Sequence, residues 1–334
     1  MTNPKLKIAF AGARHGHAMG IYNAICANSS LELVAFCEED VEHSLLPGRP
    51  DIRVTHTSFS QMLQECACDI VVIGDYFAKR GPMAIQALQA GRHVYVDKPL
   101  CTSLADWQRI AELSQAGGLS VGVGVELHAN PCVNAAREYI RGGHLGKVVQ
   151  IQFSAQHPLL PKDRPAWYFE QGKHGGTIND IAPHGTEAIH WLTGQPFGKA
   201  IFARCWQALD ETPGEYFQDA AQFSYTLADG CGVLGDVSYH ASDTLGYGHP
   251  CYWRFNIWGT KGMIELRPFS TGECLLYTHS GQEPEKLTPN TALPDNALGC
   301  FLAEIRHQPT TLSTADTLEA ARQVLLIQAM APAD

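Results

Sequence analysis

The run Ala11-Gly12-Ala13-Arg14-His15-Gly16-His17 follows a short apolar stretch and opens a helical one. That is where the pyrophosphate of a dinucleotide meets the amino end of a helix, whose N–H groups and dipole favour an anion. Only Gly12 fits the Gly-x-Gly-x-x-Gly frame, because Arg14 takes the place of the second glycine and His17 that of the third. A side chain at position 14 limits close backbone approach, whereas its guanidinium can neutralise phosphate charge. Twenty-six residues after Gly12 stands Glu38, where an acid would hydrogen-bond the adenosine ribose hydroxyls. Glu39 and Asp40 follow, and no lysine or arginine comes before Arg49, so a 2′-phosphate would be repelled and NAD is expected over NADP.

Two further groups could move a proton. Asp97-Lys98-Pro99 closes the apolar run His93–Val96, at the strand edge where open α/β sheets bind ligands. A lysine held there can hydrogen-bond a substrate hydroxyl or take part in proton transfer. In Gly175-Gly176-Thr-Ile-Asn179-Asp180-Ile-Ala-Pro183-His184-Gly-Thr-Glu187, a helix starting near Asn179 puts Asp180, His184 and Glu187 on one face. Pro183 is then tolerable because first-turn N–H groups lack partners inside a helix. A carboxylate one turn from a histidine can orient it and stabilise its charge, as a proton shuttle requires. No tight His-x-x-x-His or cysteine ligand set accompanies these residues, and no metal is expected.

The elements that must position these groups fall into two halves. In residues 5–125 strands alternate with helices: strands at Lys7–Ala11, Leu31–Cys37, Asp69–Gly74, His93–Val96 and Leu119–Val125, and helices through Ile25, over Pro82–Ala90 with Gly91 as its stop, and over Leu104–Gln115. Such alternation predicts a doubly wound parallel sheet with right-handed crossovers. Beyond about residue 145 the pattern is of period two. Val149, Ile151, Phe153 and Ala155 alternate with Gln150, Gln152, Ser154 and Gln156, and further strands are expected at Ile201–Leu209, Ala220–Leu227, Gly232–His240, Tyr252–Trp258 and Met263–Leu266. Asp229-Gly230 is a hairpin turn between two of them. Helices over Ala297–His307 and Thr314–Met330, the latter capped by Ser313, close the chain. The division expected is a dinucleotide-binding domain over 1–125 and a substrate and oligomerisation domain over 126–334.

Composition narrows the class. The chain has 334 residues, 45% of them apolar and 17% charged, enough to bury two cores and too apolar for global disorder. With 24 Lys+Arg against 34 Asp+Glu the net charge is −10, and no basic stripe stands out, which excludes binding to a nucleic-acid backbone. No apolar run is long enough to span a membrane, and the first strand does not read as a signal peptide. Eleven cysteines, an odd number without any Cys-x-x-Cys, fit buried free thiols (Cys26, Cys37 and Cys205 lie in apolar surroundings) and a cytoplasmic location.

Taken together these motifs resemble the Gfo/Idh/MocA family of oxidoreductases. Ala87-Leu-Gln-Ala-Gly-Arg-His-Val-Tyr-Val-Asp97-Lys98-Pro99-Leu100 is similar to the family's ALxAGKHVxxEKP, and Gly175-Gly176…Asp180-x-x-x-His184 to its GGxxxDxxxH. Leu145-Gly-Lys147-Val, Gln218-Asp219-Ala and Ile257-Trp-Gly-Thr-Lys-Gly262 add to the likeness, which covers nearly the whole chain. The resemblance implies a Rossmann domain followed by an α/β domain with a large open sheet that forms a dimer or tetramer contact. It implies a nicotinamide cofactor near Gly12, Arg14, His15, His17, Glu38, Asp75, Phe77, Asp97, Lys98 and Pro99, and a sugar, polyol or derivative as substrate. Lys98 would touch nicotinamide ribose and substrate, and His184, backed by Asp180, would take the hydroxyl proton as hydride leaves. Glu126, His128, Trp167, Tyr168 and Asn179 would lie near the substrate.

The chain departs from the family pattern at several points. Asp75-Tyr76-Phe77 replaces the usual Thr-Pro-Asn, Glu126-Leu-His128 replaces an Asn-Arg, and Glu187 replaces an aspartate. These mark a divergent subgroup and bear on the substrate more than on the cofactor. The leading expectation is a dehydrogenase or reductase acting on C–OH groups. One alternative keeps NAD bound and uses transient oxidation for hydrolysis, elimination or epimerisation, with His15, His17, His128, His157 and His174 as further acid–base groups. Another is a non-catalytic NAD-binding sensor.

Overall fold

The computed structural model describes residues 4–210, 212–269, 271–279, 281, 283–290 and 294–331. The chain divides into two compact units. The first comprises residues 1–124, 165–175 and 297–321, the second residues 125–164, 176–296 and 322–334.

The first unit alternates β1 (Leu6–Ala11), α1 (Gly16–Ala27), β2 (Leu31–Cys37), α2 (Phe59–Glu65), β3 (Ile70–Ile73), α3 (Phe77–Gln89), β4 (His93–Asp97), α4 (Leu104–Gly117) and β5 (Val121–Gly124). The strands form one parallel sheet in the order β2-β1-β3-β4-β5. The order reverses between β1 and β3, which opens a crevice at their carboxyl ends. β3 and most of β1 and β4 are apolar on both faces, as a sheet covered by helices on each side demands. Gly12 follows β1 with φ +86°, and a Cβ there would lie 2.5 Å from the backbone nitrogen of Asp75, so a side chain fits neither the conformation nor the space. Gly91 has φ +75° just past α3, and its N–H bonds the Leu88 carbonyl, closing the helix as expected. That helix begins five residues earlier than Pro82 predicts and carries the proline inside it.

In the second unit, α5 (Pro131–Arg141), β6 (Val148–Pro158), α6 (Thr177–Thr193), β7 (Phe197–Trp206), β8 (Ala220–Leu227), β9 (Gly232–Ala241), β10 (Arg254–Gly259), β11 (Gly262–Arg267), β12 (Glu273–Thr278) and β13 (Glu285–Lys286) follow in turn. The eight strands make one sheet in the order β13-β12-β11-β10-β6-β9-β8-β7, antiparallel except for the parallel β6–β9 pair. Ile151, Phe153, Ala155, Val233, Val237, Phe223, Phe255 and Ile257 are buried on its inner face. α6 lies against that face, close enough that a Cβ on Gly185 would stand 2.5 Å from the Phe153 ring. The opposite face leaves Phe202 and Leu234 about half exposed. β12, β13 and α2 went unread in the sequence.

α7 (Ala297–Ile305) and α8 (Thr314–Met330) end the described chain. Phe301 of α7 packs on Tyr95 of β4 with ring centroids 5.2 Å apart. Ser313 caps α8 as expected: its hydroxyl accepts from the Asp316 N–H, and the Asp316 carboxylate accepts from the Ser313 N–H in return. Among the described residues no helix is long and apolar enough to cross a membrane. All eleven cysteines are free, and eight are buried, including Cys37 and Cys205. Cys26 is exposed, contrary to expectation, because it lies on the outward side of α1 while Tyr22 and Ile25 turn inward.

Candidate active site

In the first unit the strand ends gather Gly12–His17, Glu38, Asp75 and Asp97–Lys98. No side chain among the described residues caps α1, and its first turn contains no acid, so the amino end offers the N–H groups and dipole that a phosphate needs. In that respect the loop fits a dinucleotide. Its side chains are nevertheless committed to one another. The Glu38 carboxylate accepts from the Ala13 N–H at 2.7 Å, the Asp40 N–H at 3.0 Å and Arg14 Nε at 3.3 Å, and it is almost fully buried. Burial pushes the Glu38 carboxyl up, with the backbone donors and Arg14 pulling the other way. Arg14 also reaches Asp40 at 3.2 Å and the His43 carbonyl at 3.1 Å, while its own carbonyl accepts from Trp167 Nε1 at 3.1 Å. The side chain that replaces the second glycine thus ties the β1–α1 loop to Glu38 and Asp40.

A second knot is centred on Arg80. Its fully buried guanidinium donates to the Asp75 carbonyl at 2.7 Å, the Asp97 carbonyl at 2.8 Å, the Lys98 carbonyl and Asp97 Oδ2 at 2.9 Å. His15 Nδ1 lies 2.6 Å from the same Asp97 oxygen, and His17 Nδ1 lies 3.6 Å from Oδ1. Burial alone would raise the Asp97 carboxyl, but Arg80 and His15 hold it well below the usual carboxylate range. Burial pushes His15 down to about 3 against the pull of Asp97, so the imidazole is neutral and donates Nδ1–H to the carboxylate. His15, His17 and Asp97 bring three potential ligand atoms within 4.8 Å of one another. Arg80 on that carboxylate and Lys98 near His15 put positive charge where a cation would sit, so the trio does not favour a metal.

Lys98 is buried, with Nζ 5.6 Å from the centre of the Phe77 ring, and the Lys98–Pro99 peptide is cis. Phe77 is ringed by His15, Trp167, Tyr168 and His174 at centroid distances of 4.8 to 5.5 Å. Trp167 and Tyr168 therefore pack beside the Gly12–His17 loop within this unit. Asp75 is tied to Lys79 at 2.8 Å, and Lys79 in turn to Glu39 at 2.7 Å.

In the second unit α6 begins at Thr177 after Gly176, two residues before the expected start. Pro183 is consequently in the helix interior, not its first turn, and cannot donate to the carbonyl four residues back. Asp180 and His184 remain one turn apart, and both are buried. The Tyr239 hydroxyl of β9 donates a short hydrogen bond to Asp180 Oδ2. Trp253 stands edge-on to His184, ring centroids 5.9 Å apart. Asn179 is buried, with its N–H on Gln328 Oε1 at 3.2 Å. Glu187 pairs with fully buried His128 at 3.4 Å, and the His128 ring packs on Trp191 at 4.2 Å. Glu126 is exposed.

Sequence reasoning overlooked Arg80 as the fixing point of Asp97 and Lys98, and Tyr239 as the partner of Asp180. Arg80 had a weak signal, the second of two adjacent bases, Lys79 and Arg80, in the first turn of a helix whose later turns are mostly apolar. Tyr239 had none, being 59 residues from Asp180.

Comparison with known proteins accords with this architecture. Residues 6–125 match the model of an oxidoreductase family with an NAD-binding Rossmann fold, and residues 133–265 that of the GFO/IDH/MocA C-terminal domain. The chain is 26% identical over 204 residues to scyllo-inositol 2-dehydrogenase (NAD(+)) of Bacillus subtilis, covering 61% of this chain and 56% of that one. It is 22% identical to 1,5-anhydro-D-fructose reductase of Ensifer adhaerens, covering 78% and 76%. Among solved structures it is similar in fold to an aldose-aldose oxidoreductase from Caulobacter crescentus complexed with glycerol, with TM-score 0.76, 19% identity and coverage of 98% and 97%. The WlbA dehydrogenase from Bordetella pertussis, in complex with NADH and UDP-GlcNAcA, gives TM-score 0.75, 17% identity and coverage of 95% and 93%. Both halves match in the order the motifs require, and the chain belongs to the Gfo/Idh/MocA family of NAD-binding oxidoreductases.

Proposed function

We propose that this oxidoreductase transfers hydride between nicotinamide and a C–OH or C=O carbon of a sugar, cyclitol or related polyol. The observation that carries this reading is the array on α6. His184 follows Asp180 by one turn, and the Tyr239 hydroxyl holds the Asp180 carboxylate in place. The nicotinamide, when bound, accepts or returns the hydride. His184 takes the proton of the reacting hydroxyl, or gives it back in reduction, and Asp180 stabilises the imidazolium that forms. Lys98 hydrogen-bonds the same hydroxyl and the nicotinamide ribose, with Arg80 fixing the backbone that carries it. Asn179, Trp167, Tyr168, Glu126 and His128 are proposed to position or support the positioning of the substrate. The inositol and anhydrofructose relatives favour a polyhydroxylated substrate.

NAD is the cofactor of choice on this reading. Gly12, Arg14, His15 and His17 receive the pyrophosphate. Glu38 takes the ribose hydroxyls, with Asp75, Phe77, Asp97 and Pro99 lining the remainder. Glu39 and Asp40 disfavour a 2′-phosphate. Glu38→Ala raises the Kd for NAD, measured calorimetrically, and leaves turnover intact once cofactor saturates. The protein acts in the cytoplasm, and the outer sheet face, where Ile201, Phe202 and Leu234 are about half exposed, is covered by a second copy.

The test is to incubate the purified protein with NAD and a panel of polyols and aldoses and to follow absorbance of the reduced nicotinamide. Substrate-dependent formation supports the reading. Failure to bind either NAD or NADP, or binding with no hydride transfer to any polyol, rejects it.

A further inference from the structure

His15 stands at the N-cap of α1 with extended backbone, φ −132° and ψ 145°, and its carbonyl accepts from the Ala18 N–H at 3.0 Å. A residue in that place ordinarily turns its side chain back onto the first-turn N–H groups. Here the ring turns onto Asp97 at the end of β4, and the N–H groups stay open for a phosphate. The backbone and the side chain of this one residue are therefore available for different ligand groups.

The partners of the ring fix its polarity. Asp97 Oδ2 lies 2.6 Å from His15 Nδ1 and also accepts from Arg80 at 2.9 Å, and a carboxylate held by a guanidinium has no proton to offer. Nδ1 must then carry the hydrogen. Burial keeps the imidazole neutral, so Nε2 is left with a lone pair. Among the described residues Nε2 has no hydrogen-bond partner, and it is not enclosed, so it faces water. A histidine that only filled the core would pair both nitrogens. Phosphate oxygens are acceptors, and a lone pair cannot serve them. Lys98 is close by: the Phe77 ring that meets the His15 ring at 5.4 Å lies 5.6 Å from Lys98 Nζ, and the lysine charge is felt at the imidazole. A group that meets both an ammonium, which only donates, and this nitrogen, which only accepts, must do both, as a hydroxyl does.

We infer that His15 Nε2 accepts a hydrogen bond from the nicotinamide-ribose hydroxyl to which Lys98 donates, so that the His15 side chain positions the ribose and Lys98 and does not bind phosphate. The inference rests on the oxidoreductase reading and divides its cofactor site more finely. The backbone of Gly12–His17 and the Arg14 side chain take the pyrophosphate, and the His15 ring takes the ribose beyond it. Every bond then runs one way, from Lys98 to the hydroxyl, to His15, to Asp97, and Arg80 closes the row by donating to the same carboxylate. Asp97 sets the tautomer on which the row depends.

Calorimetric titration of the purified protein with NAD, ADP-ribose and ADP tests this, because the three share the pyrophosphate, the first two share the second ribose, and NAD alone has the carboxamide. His15→Phe keeps a flat ring beside Phe77 and Tyr168 and removes the nitrogen. It should raise the Kd for NAD and for ADP-ribose alike by about three- to ten-fold, as loss of one neutral hydrogen bond predicts, and leave that for ADP unchanged. Equal weakening of ADP would assign the ring to phosphate, weakening of NAD alone would assign it to the carboxamide, and either result overturns the inference. A second measurement needs no variant. Two-bond ¹H–¹⁵N NMR of protein labelled at histidine should show His15 protonated at Nδ1 alone at neutral pH, with an Nε2 signal that moves on adding ADP-ribose and stays in place with ADP. A proton on Nε2, or an Nε2 signal that ADP-ribose leaves in place, overturns the inference even if His15→Phe does not fold. Wild-type protein that binds none of the three defeats the NAD reading itself, and protein that binds all three with no regard to His15 defeats this inference alone.

Discussion

The two units fix their polar residues by different means. In the first, a neutral imidazole, a buried carboxylate and a buried guanidinium lock one another at strand ends, His15 to Asp97 to Arg80. In the second, the acid and the histidine sit on one helix, held by a tyrosine hydroxyl and surrounded by aromatic rings. An ionic knot is rigid but intolerant, because removing one partner leaves a buried charge uncompensated. An aromatic setting gives up less when one ring is trimmed, because no buried charge is orphaned. On the proposed function, the first arrangement would hold a cofactor in one pose and the second would carry the proton.

That contrast can be broken most sharply at His184. His184→Ala is expected to lower kcat by about 10²–10⁴ while leaving the Kd for NAD within error, as loss of a general base predicts. Steady-state kinetics with a titration of cofactor checks both halves, and an equal loss of NAD binding would erase the distinction between the units. The complementary substitution, Arg80→Met, should destabilise the first unit by about 3–5 kcal/mol, the usual result of orphaning a buried charge. Denaturant unfolding measures this, and a loss below about 1 kcal/mol would mean that the knot contributes little.

Acid should weaken the first knot in a graded way. His15 has its folded pKa depressed to about 3, so the unfolded chain binds the extra proton once pH falls below about 6.5. Stability should therefore decline between these limits with a slope of at most about 1.4 kcal/mol per pH unit from this residue. Asp97, also depressed, adds a loss confined to pH below about 3.9. His15→Gln should flatten the upper part of the profile and spare the lower part. An unaltered profile in that variant would show that His15 is not the titrating group.

Much of this architecture could be read from the chain because its determinants are local. Apolar strands ending in Gly12, Glu38 and Asp97 announce a parallel sheet, and the spacing of Asp180 and His184 survives an error of two residues in where α6 starts. Pro183 misled because first-turn tolerance was the simplest way to admit a proline, whereas packing of α6 against the sheet, with Gly185 on Phe153, stabilises the helix through it. β12 was missed because Glu273-Cys-Leu-Leu-Tyr-Thr shows only weak alternation, and its pairing with β11 identifies it as a strand. Glu187 lies one turn beyond His184, but its partner is His128, and no periodicity within α6 points to a residue that distant. Tyr239 and Arg80 belong to the same class: their roles are set by which strand lies next to which helix.

The distribution of thiols gives the protein a built-in reporter of its own opening. Cys26 and Cys251 are exposed, while burial pushes Cys37, Cys101 and Cys274 up to about 12 and so suppresses the reactive thiolate. Cys37 and Cys101 lie in the first unit, and Cys132, Cys205, Cys231 and Cys274 in the second. A thiol-specific label applied as a pulse, followed by peptide mapping, would time the unfolding of each half separately, with no engineered probe.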